Sequence, residues 1–150
     1  GPLQSNKTRE VAEHFDWVHS VDRLKIAQRL SDQRPPHLPP LQVCLQVNIS
    51  GEASKSGVAP GEVLALAQAV HALPRLALRG LMSIPEPAHG EAAQRGPHRA
   101  LRELRDALQR ADARLSLPVL SMGMSDDLEA AIAEGATLVR IGTAIFGRRS

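Results

Sequence analysis

Short apolar segments, each about the length of a β-strand, recur along the chain between polar or amphipathic stretches. Pro, Gly, Ser or Asp stand at many of their boundaries, where these residues favour turns and helix ends. Leu41–Ile49 is a nearly continuous apolar run, as expected of a strand that is covered on both faces. The predicted strands are Trp17–Val21, Leu41–Ile49, Leu76–Ile84, Pro118–Met122 and Thr137–Ile141.

The stretches between these strands have helical spacing or loop composition. The longest helix is predicted to begin at Pro97, after a Pro- and Gly-rich loop at Glu86–Gly96. Its apolar face carries Leu101, Leu104, Leu108, Ala111 and Leu115. The other predicted elements are a helix at Arg23–Leu30 capped by Asp22, a loop at Arg34–Pro40, a loop at Ser50–Gly57, a helix from Pro60 to about His71, and a helix at Asp127–Glu134 with Asp126 and Glu129 at its start and Gly135 at its C′ position.

Strands that alternate with helices indicate an α/β fold built from βα units around a parallel sheet. Two architectures fit, an open doubly wound sheet and a stretch of a (β/α)8 barrel. No G-x-G-x-x-G sequence follows the first strand, which disfavours a dinucleotide-binding fold. A complete barrel takes about 250 residues, whereas the chain has 150. A barrel here would therefore be incomplete, with about its last five βα units.

Composition and charge narrow the functional class. The net charge is +2 and the basic residues are interleaved with acidic ones, so no basic stripe predicts nucleic-acid binding. No apolar run reaches the roughly 18 residues of a membrane span, and the start of the chain does not resemble a signal peptide. The single cysteine, Cys44, excludes an intrachain disulfide and favours a reducing compartment. A cytoplasmic protein is expected. Because residue 1 is Gly rather than Met, it stays open whether the chain begins where its gene begins.

Zinc and cysteine chemistry are not expected. The six histidines show no spacing typical of a zinc site, so no metal ligand is predicted. Cys44 lies in the middle of an apolar strand and is interpreted as a core thiol rather than a nucleophile.

Ser121–Asp127 is the first segment with unusual residues. A strand end passes through Gly123 into a helix start, where Ser125 next to free helical N–H groups could bind an anion. The simpler interpretation is that Ser125 and Asp126 only cap the helix. Considered alone, this segment favours the simpler interpretation.

Val139–Gly147 is the second such segment. Arg140 lies inside an apolar strand, where arginine is rare unless it is paired, and Gly142 and Thr143 follow it. The alternative is an arginine that extends from the strand end into solvent. In (β/α)8 enzymes the loops after the last two strands frequently hold a phosphate, and these two segments follow the last two predicted strands.

Several motifs, in order and across essentially the whole chain, resemble those of the pyridoxal phosphate homeostasis proteins. These are single-domain barrels that bind pyridoxal 5′-phosphate (PLP) and are similar to the N-terminal domain of alanine racemase. SMGMSDDLEAAI and VRIGTAIFG are the most specific of the motifs. The matching segments are Gly1–Lys7, Gln46–Ser50, Lys55–Gly57, Arg79–Pro85, Ser121–Asp127 and Val139–Gly147.

The resemblance implies a role for each matching residue. Ser125 would hydrogen-bond the PLP phosphate, Gly142 and Thr143 would add backbone and hydroxyl donors, and Arg140 would face the pyridine nitrogen. A guanidinium keeps its proton, so that nitrogen would stay unprotonated and PLP would be a poorer electron sink. The cofactor-binding residues implied by the resemblance are Gly123, Met124, Ser125, Arg140, Gly142 and Thr143.

One part of the family pattern is missing from these 150 residues. Family members carry three earlier strands, with the lysine that forms a Schiff base with PLP and a Gly-Glu-Asn loop. The lysines of this chain are Lys7, Lys25 and Lys55, and none matches the anchoring position. The chain is therefore expected to be the C-terminal portion of a single PLP-binding barrel domain, truncated at its N-terminal side.

The function implied by the resemblance is non-enzymatic. The protein would sequester PLP and supply it to PLP-dependent apoenzymes, without binding nucleic acid or a membrane. Two alternatives remain at this point. One is an amino-acid racemase or decarboxylase of the same barrel class, and the other is a truncated fragment without independent function.

Overall fold

The computed structural model of the chain describes residues 5–49, 57–84, 90–123, 127–137, 140–141 and 144–145. A 3₁₀ turn at Ser5–Lys7 leads into the first helix, and another at Pro60–Glu62 leads into the third. The helices are α1 (Thr8–His14), α2 (Leu24–Gln33), α3 (Val63–His71), α4 (Glu91–Ala111) and α5 (Leu128–Ala133). The strands are β1 (Trp17–Val21), β2 (Leu41–Gln46), β3 (Leu76–Met82), β4 (Val119–Ser121), β5 (Arg140–Ile141) and β6 (Ala144–Ile145).

The first four strands form one parallel sheet in the order β1-β2-β3-β4. Each strand pairs with the next one along the chain, and α1, α2 and α3 pack against one another in the same order. A doubly wound sheet would reverse its strand order at a switch point, whereas a barrel adds its strands in sequence. The consecutive order therefore favours the barrel over the doubly wound alternative.

The sheet is strongly curved. His19 on β1 and Ser121 on β4 are joined by a buried hydrogen bond of 3.0 Å between Nδ1 and Oγ. Two strands lie between β1 and β4, so in a flat sheet their backbones would be about 14 Å apart. The two side chains meet only because the sheet curls towards its inner face, as the wall of a barrel does. The predicted barrel segment is therefore confirmed.

The main hydrophobic core lies between the outer face of the sheet and the helices. Side chains from the sheet and the helices pack together in this layer and exclude water. Each fully buried Val, Leu or Ile side chain contributes about 1.5–3 kcal/mol. Its fully buried members include Leu41, Val43, Leu45, Leu81 and Leu120 from the strands, and Leu30, Val63, Ala67, Val70 and Leu101 from the helices.

Gly80 allows β3 and β4 to approach closely. A Cβ atom at this position would lie 1.8 Å from the carbonyl oxygen of Val119 on β4, a contact that no side chain can make. Gly80 also follows the point where the register between β2 and β3 shifts, after the pair Val43 and Leu78. Glycine is therefore required here by the neighbouring strand rather than by a turn.

After β2 the chain comes back at Val58 to pair with Val47, which directly follows the strand. Val58 forms a parallel bridge with Val47, the Asn48 N–H donates to the Val58 carbonyl at 2.9 Å, and the Val58 N–H donates to the Gln46 carbonyl at 2.9 Å. Gly57, with φ +119°, fits against the backbone of Asn48. The predicted loop at 50–57 otherwise lies outside the described residues.

The start of α4 was predicted wrongly. The helix begins at Glu91 rather than Pro97, and Pro97 lies in its interior. An interior proline removes one backbone hydrogen bond, but the helix is 21 residues long and is anchored by buried Leu101 and Leu108. Leu115, assigned to the apolar face of this helix, is buried beyond its end at Ala111.

One predicted helix cap was also wrong, and a second predicted cap lies outside the described residues. α2 begins at Leu24 with Arg23 at the N-cap and without a side-chain cap. The Asp22 carboxylate instead accepts a hydrogen bond of 3.3 Å from the Gly57 N–H. At the start of α5, Asp127 makes no side-chain cap bond, and Asp126 lies outside the described residues. The predicted C′ glycine is confirmed, because Gly135 has φ +98° directly after the C-cap residue Glu134.

The last predicted strand, Thr137–Ile141, differs from the structure. Arg140–Ile141 forms a two-residue strand that pairs antiparallel with Ala144–Ile145. Thr137 lies beside β4, where its N–H donates to the Leu120 carbonyl at 3.0 Å and its Oγ1 accepts from the Leu120 N–H at 2.8 Å. The threonine hydroxyl thus replaces a backbone acceptor, and regular parallel pairing does not start at this residue.

Candidate functional site

Buried polar side chains collect near the carboxyl ends of the parallel strands. Gln46 ends β2, Ser83 follows β3, Ser121 ends β4 and His19 lies near the end of β1, and all four are nearly fully buried. Polar groups are costly inside a protein unless they are bonded. In βα barrels this end of the sheet carries the functional site, so these residues mark the candidate site.

Gly123 is the one predicted cofactor-binding residue for which both the backbone conformation and the burial are described. It is buried and has φ +101°, a backbone conformation that residues with a Cβ rarely adopt. The chain therefore turns immediately after β4 and Met122, as the sequence predicted. Met124 and Ser125, which follow it in the same motif, lie outside the described residues.

Arg140 is described only by its backbone, in β5, where it pairs with Ile145. Gly142 and Thr143 stand between β5 and β6 in the sequence and lie outside the described residues. Arg140 follows Thr137 by three residues, a span of at most about 11 Å, and Thr137 is hydrogen-bonded to Leu120 on β4. The two glycine-containing motifs therefore start from adjacent points of the fold.

Two histidine contacts flank the segment between β4 and α5. His19 bonds Ser121 at its upstream end, and His98 on α4 places Nε2 2.8 Å from Oδ2 of Asp127 at its downstream end. Sequence reasoning considered the histidines only as metal ligands and missed both contacts. The alternation of β1 could have placed His19 on its inner face, but no sequence signal links His98 to Asp127.

Gln46 carries an acceptor that is not satisfied by the described part of the chain. Its Oε1 is buried without a hydrogen-bond partner there, and the residue is only 4% exposed. A buried amide oxygen normally accepts a hydrogen bond from protein, water or ligand. Its position at the carboxyl end of β2 puts this acceptor on the functional side of the sheet.

Cys44 is a core thiol, as predicted. It is completely buried on β2, and burial raises the pKa of its thiol to about 12. The thiolate is the reactive form of cysteine, so a thiol that stays protonated at neutral pH is a poor nucleophile. Among the described residues, no group of three or more His, Cys, Asp or Glu side chains is arranged to hold a metal ion.

The helices within the described ranges include none that is long and apolar enough to cross a membrane. This finding agrees with the hydropathy of the sequence, which contains no long apolar run.

Comparison with known proteins identifies the family. The alanine racemase N-terminal domain family matches residues 1–150, and the chain therefore belongs to this family. Among its relatives is the pyridoxal phosphate homeostasis protein of Pseudomonas aeruginosa, 70% identical over 149 residues, which are 99% of this chain and 63% of that protein. The protein of the same name from Vibrio cholerae is 60% identical over 149 residues, 99% of this chain and 62% of that one. The resemblance inferred from the motifs is confirmed.

A solved structure agrees with the fold. PipY of Synechococcus elongatus, solved with PLP bound, superposes with a TM-score of 0.85 at 38% sequence identity, over 98% of this chain and 68% of PipY. The barrel architecture is thus shared with a relative that was solved with PLP bound. The chain spans about 63% of the length of the curated relatives that it matches.

Proposed function

We propose that the chain is the C-terminal portion of a single PLP-binding barrel domain, and that the whole protein holds PLP and supplies it to other enzymes without turning over a substrate. The observation that carries this proposal is the 70% identity to a pyridoxal phosphate homeostasis protein over 99% of the chain. The PLP bound to PipY, whose sequence is 38% identical, supports the choice of cofactor.

The proposed cofactor site lies at the carboxyl end of the sheet. Ser125 and the Gly142–Thr143 pair hold the phosphate, Gly123 and Met124 form the adjoining backbone, and Arg140 faces the pyridine nitrogen. Buried Gly123, with its positive φ, supports a tight backbone turn where a phosphate must approach the chain closely. Bound PLP supplies a reactive aldehyde, and the residues of this chain bind its phosphate and orient its ring.

The proposed partners are PLP and PLP-dependent apoenzymes in the cytoplasm, with neither nucleic acid nor membrane as a ligand. PLP is an aldehyde that forms Schiff bases with exposed amines, so a protein that holds it reversibly limits such reactions. The net charge of only +2, with basic and acidic residues interleaved, supports the absence of a surface that binds nucleic acid.

Equilibrium dialysis of PLP against the purified 150-residue chain tests the proposal. We expect saturable binding that an Arg140→Ala, Ser125→Ala double variant loses, because it lacks both the pyridine and the phosphate contacts. Arg110→Ala is the matched control, since Arg110 is exposed at the end of α4. Equal binding by the chain and the double variant would contradict the proposed site.

A further inference from the structure

Buried histidines hold both ends of the segment that joins β4 to α5. Upstream, Nδ1 of His19 lies 3.0 Å from Oγ of Ser121. Downstream, Nε2 of His98 lies 2.8 Å from Oδ2 of Asp127. The histidines are 8% and 0% exposed, so water competes little for either contact. The residues between these two contacts include Ser125, the proposed phosphate ligand.

The His98 contact is the more directional of the two. A carboxylate can only accept hydrogen bonds, so Nε2 of His98 carries the proton that points to Asp127. Hydrogen bonds to a charged group are stronger than neutral ones, particularly when one partner is fully buried. Asp127 is the N-cap residue of α5 and follows Ser125 by two positions. Ser125 is therefore two residues in sequence from a side chain that α4 holds.

α4 contacts α5 through a second polar cluster, at the opposite end of the shorter helix. Glu134, the C-cap residue of α5, is 1% exposed and lies 2.7 Å from Nε of Arg95, 3.1 Å from Nη2 of Arg99 and 3.1 Å from Nη1 of Arg102. This arginine–glutamate cluster fixes the carboxyl end of α5 against α4, whereas Asp127 and the preceding Ser125 lie at the amino-terminal side of α5. Variants of the arginine–glutamate cluster therefore report on helix packing alone, whereas variants of the His98–Asp127 contact also report on the proposed site.

We propose that His98 is a positioning residue for phosphate binding, acting through Asp127, while His19 fixes the other end of the same segment through Ser121. The inference rests on the proposed function, because it takes Ser125 as the phosphate ligand. His98 does not touch the ligand itself. It lowers the conformational freedom of the segment before PLP arrives, so less ordering is needed on binding.

Amide hydrogen exchange of the Ser121–Asp127 segment, measured without ligand, tests the positioning directly. In His98→Leu we expect exchange at least about tenfold faster, since a charged buried hydrogen bond of this kind contributes a factor of that order. His98→Gln keeps a side-chain N–H donor and is expected to restore most of the protection. Asp127→Ala removes the acceptor at a partly exposed position, and so tests the same contact without changing the buried side of the pair.

The matched control is Arg102→Gln, which weakens the arginine–glutamate cluster at the other end of α5. It is expected to lower Tm while leaving exchange in Ser121–Asp127 unchanged. Unchanged exchange in both His98→Leu and Asp127→Ala, or equally fast exchange in Arg102→Gln, would overturn the positioning role.

PLP dialysis on the same variants tests the link to function. We expect the Kd to rise about tenfold in His98→Leu and Asp127→Ala, in keeping with the exchange effect, and to stay within about twofold in Arg102→Gln. Faster exchange with an unchanged Kd would overturn the role in binding. Faster exchange in a chain that binds no PLP at all would support the positioning of the segment and contradict the proposed function instead.

Discussion

The amino and carboxyl ends of the four-stranded sheet contain different kinds of polar contact. At the amino end, side chains donate to backbone carbonyls. Arg34 is almost fully buried and donates to the carbonyls of Ala12, Phe15 and Pro39 at 2.7–3.0 Å. Arg75, with φ +65°, donates to the Ser31 carbonyl at 2.8 Å. These contacts tie α1, α2 and the loop before β2 together.

At the carboxyl end, side chains bond to other side chains, and one buried side-chain acceptor has no partner among the described residues. His19 meets Ser121, His98 meets Asp127, and Oε1 of Gln46 has no partner among the residues that the structure describes. In βα barrels the amino end typically serves stability and the carboxyl end serves function. The difference teaches that side chains bonded to the backbone accompany the first role, and side chains bonded to one another accompany the second.

The largest expected effect is at the amino end. Arg34→Met keeps the apolar volume but leaves three carbonyl oxygens without their donor, so we expect the free energy of unfolding to fall by about 3 kcal/mol. Burial lowers the pKa of Arg34 from its usual value, but a guanidinium stays charged at neutral pH. Urea denaturation measures the loss. Arg9→Met, at an exposed arginine of α1, is the control and should change stability by less than about 0.5 kcal/mol.

At the carboxyl end we expect a smaller loss of stability and a specific loss of binding. Gly123→Ala places a Cβ at φ +101°, which costs about 1–2 kcal/mol. Because Gly123 adjoins the proposed phosphate ligand, the free energy of PLP binding should weaken by more than the free energy of unfolding falls. Gly61→Ala, where nothing lies within 4 Å of the new Cβ, should leave both unchanged. A Gly123→Ala protein with normal PLP affinity would remove the functional distinction between the two ends.

Alkaline pH provides a third test, through Cys44 in the centre of the sheet. Its pKa is raised from 9.0 to about 12 in the folded chain, so on alkalinisation the unfolded chain loses this proton first. The protonated Cys44 thiol contributes fully to the free energy of unfolding below pH 9. This contribution is lost as pH rises towards 12, and at pH 10 the loss is about 1.4 kcal/mol. Denaturation of wild type and Cys44→Ala at pH 8 and pH 10 isolates this contribution. A stability difference between them that is independent of pH would contradict it.

The smallest expected effect concerns Glu134, outside the sheet. Hydrogen bonds from Arg95 and then Arg99 lower the pKa of this carboxyl below its usual value. A lowered pKa in the folded chain stabilises above the unfolded value and loses that contribution as pH falls through the folded one. Acid titration of stability should therefore be shallower in Glu134→Gln than in wild type. PLP binding at neutral pH should be unaffected, because Glu134 lies at the end of α5 opposite to Asp127.

Local patterns predicted most of the fold. Strand β1 was predicted with its observed bounds, the Pro60 start and the His71 end of the third helical segment were correct, and Gly135 has the expected positive φ. These features depend on neighbours in sequence, such as hydrophobic alternation and turn residues. The start of α4 was predicted six residues too late, because Pro97 is a strong local signal that packing of Leu101 and Leu108 overrides.

The candidate site was predictable only in part. The resemblance of two motifs predicts its glycines, serine and arginine, and the conformation of Gly123 agrees with its predicted place in a turn. The contacts His19–Ser121 and His98–Asp127 join residues far apart in sequence. Only the curvature of the sheet and the packing of α4 on α5 bring them together, and neither follows from local pattern.

The bridge between Val47 and Val58 has a consequence for the length that the connecting segment can take. Because both ends of the connecting segment are fixed by hydrogen bonds, its length is decoupled from the geometry of the sheet. Doubling the length of such a loop costs only about 0.6 kcal/mol of closure entropy. An insertion between these valines is therefore expected to leave the paired strands in place, so the chain should tolerate a longer connection here at little cost in stability.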